Sequence, residues 1–114
     1  MTFESFIPPR SKSVLEIIGE VPANFETTEK KFLEIQPACN YSVSKDFPKS
    51  DKKFDTVLIQ SAAIGNLKNP ELIKFIKNAA KLLNPRGRLV FTLNNLGYAE
   101  NVMAIISGEP MKFK

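Results

Sequence analysis

Phe54-Asp55-Thr56-Val57-Leu58-Ile59 through Arg88-Leu89-Val90-Phe91-Thr92-Leu93-Asn94 is the stretch that decides the fold. It reads as one β-α-β unit: an apolar strand, a turn-rich connection, an amphipathic helix, a Pro85-Arg86-Gly87 turn and a second apolar strand. Both strands are apolar on consecutive rather than alternating positions, the pattern of a mainly parallel sheet covered by helices on both faces. The helix opens at Asn69-Pro70-Glu71, where Asn69 is placed to cap it. Pro70 suits a first position that needs no N–H, and Glu71 complements the helix dipole. Leu72, Phe75, Ile76, Ala79, Leu82 and Leu83 share one arc, with Lys74, Lys77 and Lys81 opposite. The helix is therefore expected to lie on the sheet with its lysines in water, ended by Pro85 and Gly87.

Toward the N-terminus, Ser13-Val14-Leu15-Glu16-Ile17-Ile18 reads as a strand closed by Gly19. Asn24 or Thr27 can cap a short helix through about Lys31. Phe32-Leu33-Glu34-Ile35 reads as a second strand ended by Gln36-Pro37, although so short an apolar run also suits the end of a helix. Between Pro37 and Phe54 there is room for a brief strand around Tyr41-Ser42-Val43, but not for a full helix with its turns. A parallel crossover normally takes a dozen or more residues, so either this crossover is a bare loop or one strand is misread. Residues 1–12, with Pro8-Pro9, read as an arm whose Phe3, Phe6 and Ile7 pack on this domain or on a neighbour. Residues 13–114 form one α/β domain. After Asn94, the segment Asn95-Leu96-Gly97 is expected to turn the chain into a helix from about Tyr98 to Ser107. Gly108 and Pro110 stop that helix, and Met111 to Lys114 begin a further element.

With 114 residues, 43% of them hydrophobic and 25% charged, the chain can bury one modest core. Its single cysteine, Cys39, excludes an internal disulfide and a Cys-rich metal site. Histidine is absent, which removes every mechanism that needs a protein imidazole. The net charge of +4 permits attraction to polyanions, but the lysines are scattered and no aromatic residues interleave with them for base stacking. A nucleic-acid partner is accordingly the weakest reading. No basic segment precedes an apolar core at the N-terminus, and no apolar run approaches the roughly 20 residues needed to span a bilayer. An intracellular, cytoplasmic protein is expected.

Phe54-Asp55-Thr56-Val57-Leu58-Ile59, Leu67-Lys68-Asn69-Pro70 and Leu82-Leu83-Asn84-Pro85-Arg86-Gly87-Arg88-Leu89-Val90 together resemble the class I S-adenosylmethionine-dependent methyltransferases. In that family a strand opening Phe-Asp-x-Val precedes a helix opening at Asp-Pro, and the helix ends Leu-Leu-x-Pro-Gly-Gly before a Leu-Val strand. The resemblance extends over about residues 13 to 108. It implies a reduced Rossmann-like, three-layer α/β sandwich with a mainly parallel sheet of about five strands.

The same resemblance implies a cofactor site whose matching residues are Glu16, Gly19, Gln36, Gln60 and Ser61. Glu16 keeps the acid of the family's first loop, but Ile18-Gly19-Glu20-Val21-Pro22 replaces its Gly-x-Gly-x-Gly with one glycine, an added carboxylate and a proline. Gln36 stands where the family's second strand ends in a ribose-binding acid, with Glu34 a conceivable substitute. Val43 stands at the adenine-contacting acid, upstream of Asp46. Gln60 and Ser61 lie at the carboxyl end of the strand after which open α/β sheets bind ligands, and can equally cap the turn. Glu16 can bear on a cofactor amine or act as a plain hydrogen-bond acceptor. The chain is also expected to lack the family's last antiparallel strands.

Two functions follow from the resemblance. One is a degenerate methyltransferase-like domain serving as a structural or protein-interaction module, with a free sheet edge open to a protein partner or a homo-oligomer. The other is an active S-adenosylmethionine-dependent enzyme. A scaffold role predicts that Ile18, Val21 and Pro22 fill the cleft after Gly19, and catalysis requires that cleft to be open.

Overall fold

On β3 (Phe54–Ile59), Val57 and Ile59 enter one core and Leu58 the other, and all three are fully buried. The consecutive apolar run therefore reflects a strand covered on both faces. In the computed structural model, which describes residues 4–49, 51–95 and 99–106, β3 is the middle strand of a five-stranded sheet ordered β2-β1-β3-β4-β5. Its neighbours are β1 (Ser13–Ile17), β2 (Asn40–Ser44), β4 (Leu83–Asn95) and β5 (Ala99–Ile106). β2, β1, β3 and β4 are mutually parallel, and β5 runs antiparallel to β4.

Helices α1 (Glu29–Ile35), α2 (Ser61–Ile64) and α3 (Asn69–Ala80) complete the three layers. Leu15, Ile17, Val57, Ile59, Leu89 and Phe91 pack with Ile64, Ile76 and Ala79 on the α2 and α3 side. Val14, Leu58 and Val90 pack with Phe32 and Ile7 on the other. Ile7 is 1% exposed and the Ser11 hydroxyl lies 2.8 Å from that of Thr56, so this part of the segment before β1 packs on the domain's own sheet, whereas Phe3 lies outside the described residues.

Several expectations are corrected. Phe32-Leu33-Glu34-Ile35 is the end of α1, not a strand, and Phe32 is the one residue of that helix buried in the core. The second strand is instead the brief one around Tyr41-Ser42-Val43. The crossover from β2 to β3 carries no helix or strand among its described residues, 45–49 and 51–53, and is held by Phe47 against Phe75 of α3 with ring centroids 4.5 Å apart. Lys68, not Asn69, is the N-cap of α3, and the helix stops at Ala80, so Leu82 and Leu83 lie beyond it. Asn84 to Gly87 then form an irregularity inside β4, where the pairing moves from Phe54 with Leu83 to Thr56 with Arg88. Arg86 takes a left-handed φ of 64° there.

The helix expected near 98–107 is the strand β5, and it supplies an antiparallel strand that the chain was expected to lack. The run Val102-Met103-Ala104-Ile105-Ile106 is apolar at consecutive positions and too short to tell a strand from a helix, and pairing with Arg88 to Asn95 of β4 decided it. The expected turn at 96–97, the stop at Gly108 and Pro110 and the element at 111–114 lie outside the described residues.

Candidate functional site

The chain leaves β1, forms β2 on one side, and returns across to form β3 on the other side of β1. The carboxyl ends of β1 and β3 therefore flank the point where strand order reverses, the place where open α/β sheets hold ligands. Gly19 follows β1 at this edge, and Gln60 and Ser61 follow β3.

Glu16 is fully buried on β1, yet its carboxylate has partners on three elements. Oε1 accepts the Tyr41 hydroxyl at 2.6 Å and the Thr28 N–H at 3.0 Å. Oε2 accepts the Gln60 side-chain amide at 2.8 Å and shares the Thr28 N–H at 3.2 Å. A buried charge needs this degree of hydrogen bonding. The carboxylate thus ties β1 to β2, to β3 and to the entry of α1. Burial, reinforced by the neighbouring Glu16 charge, pushes the Tyr41 phenol far above its ordinary range, so Tyr41 acts here as a donor. Gln60 is 4% exposed, and its own backbone N–H donates to Ile17 O at 2.9 Å.

Gly19 has φ +69°, a conformation that suits glycine. A Cβ on it would lie 2.6 Å from both the Cα and the N of Ala63 and 2.8 Å from the carbonyl carbon of Ala62. The close backbone approach at this glycine is therefore to the protein's own α2. It is this backbone that closes on Gly19 at the crevice between β1 and β3, while Ile18 and Val21 are half-buried and Pro22 is exposed. Ser61 is the first residue of α2 and is half-buried, its carbonyl accepting the Gly65 N–H.

Gln36 does not belong to this edge. It is the C-cap of α1, at the amino end of the sheet, where its side chain donates to Pro9 O at 3.1 Å. With α1 lying between β1 and β2, the carboxyl end of β2 falls instead at Ser44-Lys45-Asp46. Glu34 belongs to α1 and cannot substitute at that end. Val43 is on β2, with its side chain 37% exposed.

The structure brings Gly19, Glu20, Lys45, Asp46, Ala62, Ala63 and Phe75 around a depression of about 290 Å³. Gly19 N–H donates to Lys45 O at 3.0 Å, which fixes the two loops against each other. Lys45 and Glu20 are 3.9 Å apart across it, an exposed pair of little energetic weight. Asp46 is exposed, and one of its oxygens accepts the Phe47 N–H at 2.7 Å within its own loop. Of the five residues matched to a cofactor site, four gather at this edge and one lies at the opposite end of the sheet. Thr28 and Tyr41, the partners that define Glu16's role, carry no motif in the sequence.

No family model matches this chain, and no curated protein does. Among solved structures it is similar to the glycopeptide N-methyltransferase MtfA complexed with S-adenosyl-L-methionine, at 17% identity and a TM-score of 0.50. That match covers 91% of this chain and 63% of the other. The same enzyme complexed with sinefungin gives 14% identity and a TM-score of 0.44, with 87% and 60% covered. The chain thus spans less than two thirds of the length of these structures. The order of parallel strands, the three layers and the first of these likenesses agree: the fold is a reduced Rossmann-like sandwich of the methyltransferase type.

Proposed function

We propose that this chain is a degenerate methyltransferase-like domain that acts as a structural or protein-interaction module and does no methyl-transfer chemistry. The observation that carries this reading is the contact of Gly19 with the backbone of Ala62 and Ala63, at the point where a cofactor's methionine part would enter. Two further facts support it. The Glu16 carboxylate is fully buried with donors on both oxygens, which leaves it no exposed face for a ligand amine. The Gln60 amide is turned inward to the same carboxylate. The residues present therefore do not fit S-adenosylmethionine. Ligand pockets commonly occupy about 300–1,000 Å³, and the depression at this edge lies at the bottom of that scale.

One observation favours the alternative of an active S-adenosylmethionine-dependent methyltransferase. Asp46 provides an exposed acid beside Gly19 at the end of β2, where a carboxylate can accept both hydroxyls of a ribose. Calorimetric titration of the chain with S-adenosylmethionine and S-adenosylhomocysteine at millimolar ligand decides between the two. The non-catalytic reading expects neither heat nor a thermal shift. Binding in the micromolar range, lost in Asp46→Ala, would sink it.

A further inference from the structure

The outer edge of β2 is chemically suited to pair with itself. At its inner side the Asn40 N–H donates to Lys12 O at 2.8 Å, and the Ile18 N–H donates to Ser44 O at 2.9 Å. Backbone direction alternates along a strand, so Asn40, Ser42 and Ser44 turn their N–H and C=O groups toward β1, and Tyr41 and Val43 turn theirs away. Among the described residues β2 pairs with β1 alone, which leaves the outward backbone groups of Tyr41 and Val43 without a strand partner.

Edges of this kind are normally guarded by lysine, proline, a bulge or a covering segment. Asn40-Tyr41-Ser42-Val43-Ser44 contains no charge, proline or glycine, and its register with β1 is unbroken. Val43 on the strand is 37% exposed and Ile35 at the end of α1 is 55% exposed, so apolar surface accompanies the open backbone.

We propose that a second copy of this chain adds its β2 antiparallel to this edge, with Ser42 facing Ser42 on a two-fold axis, joining two sheets into one. The proposal rests on the reading of the domain as a protein-interaction module. In this register Tyr41 exchanges N–H and C=O with Val43 of the second copy, and the reverse, which gives about four new backbone hydrogen bonds. The patch is self-complementary, as an isologous interface must be. Asn40 meets Ser44 at each end, and no like charges stand opposite within the strand. The axis is perpendicular to the sheet, so both copies of α1 lie on one face and run antiparallel. The exposed side of α1 carries Lys30 and Lys31 before Glu34, and the reversed copy presents the opposite order of sign.

The test is sedimentation of the full chain over a concentration series, with Ser42→Lys, Ser42→Asp and their equimolar mixture, each checked for folding by circular dichroism. The wild type is expected to form a concentration-dependent dimer. Each single variant raises the dissociation constant by about fivefold or more, because it sets like charges directly opposite, and the mixture restores association. Should either Ser42 variant fail to fold, Val43→Lys, at an exposed position, carries the same expectation of weakened association. A wild type that remains monomeric throughout overturns the proposal, as does a dimer indifferent to substitutions at both 42 and 43. Titrating S-adenosylmethionine into the same samples separates the two failures. A monomer that binds no cofactor overturns the edge pairing alone, whereas a dimer that binds cofactor supports the edge and overturns the non-catalytic reading.

Discussion

The β3-α3-β4 unit and the β1-α1-β2 unit are the same supersecondary motif held together by different chemistry. In the first, a twelve-residue helix lays Ile76 and Ala79 on Val57, Ile59, Leu89 and Phe91, and the contact is apolar throughout. In the second, a seven-residue helix contributes a single core residue, Phe32, and a fully buried carboxylate joins the parts. Burial of apolar area is non-directional and tolerates small shifts. A buried carboxylate is directional, and removing it or one of its donors leaves polar groups unpaired. One unit should therefore lose stability in proportion to volume removed, and the other in proportion to hydrogen bonds broken.

Phe91→Ala should show the largest effect, a loss of about 3–5 kcal/mol in denaturant unfolding, because it removes a fully buried ring from β4. Glu16→Ala should cost about 3 kcal/mol, since the Tyr41 hydroxyl and the Gln60 amide both lose their acceptor in the interior. A cost under about 1 kcal/mol would erase the distinction between the units, because cavity formation alone would exceed it.

Gly19→Ala is expected to cost roughly 1–3 kcal/mol through its left-handed backbone and its approach to Ala63. A variant as stable as the wild type would show that the loop can part from α2, and so would reopen the crevice to a ligand.

Tyr41→Phe should be milder, about 1–2 kcal/mol at neutral pH, as Glu16 keeps its other donors. Its sharper readout is pH. The folded-state pKa of Tyr41 is raised by burial and then by Glu16, so the folded chain holds its proton where the unfolded chain releases it. That contribution is fully present below the ordinary value of about 10 and is lost as pH rises above it. The wild type should lose this increment on the alkaline side, and Tyr41→Phe should not.

The smallest effect belongs to Asn84→Ala. Asn84 donates to Asp55 at 2.9 Å and is the leading reason, ahead of the Lys12 N–H, that the Asp55 pKa is lowered. Here the sign is opposite. The contribution is present above the ordinary carboxylate range and lost as pH falls through the folded-state value, so wild type and variant should converge in acid.

The two units also differ in how much of them could be read from the chain. α3 announces itself over twelve residues with apolar positions at helical spacing, and the strands on either side are apolar at consecutive positions. α1 offers only seven residues, and its last four, Phe32-Leu33-Glu34-Ile35, look equally like a short strand. Reading them as a strand moved the carboxyl end of β2 from Ser44-Lys45-Asp46 to Gln36, and carried a candidate ligand residue to the wrong end of the sheet. The same limit hid β5, whose strand character depends on pairing with β4 along its length.

By itself the sequence determined the layered α/β class, the mainly parallel sheet, the bare crossover offered as one of two choices, and the absence of any histidine mechanism. These follow from composition and from local periodicity, which a chain carries in any conformation. Only the tertiary structure decided what Glu16 does, because its partners lie 12, 25 and 44 residues away and are met through three different elements. It likewise decided that the one glycine of the first loop serves the approach of α2, since that contact joins the ends of two strands made neighbours by the crossover.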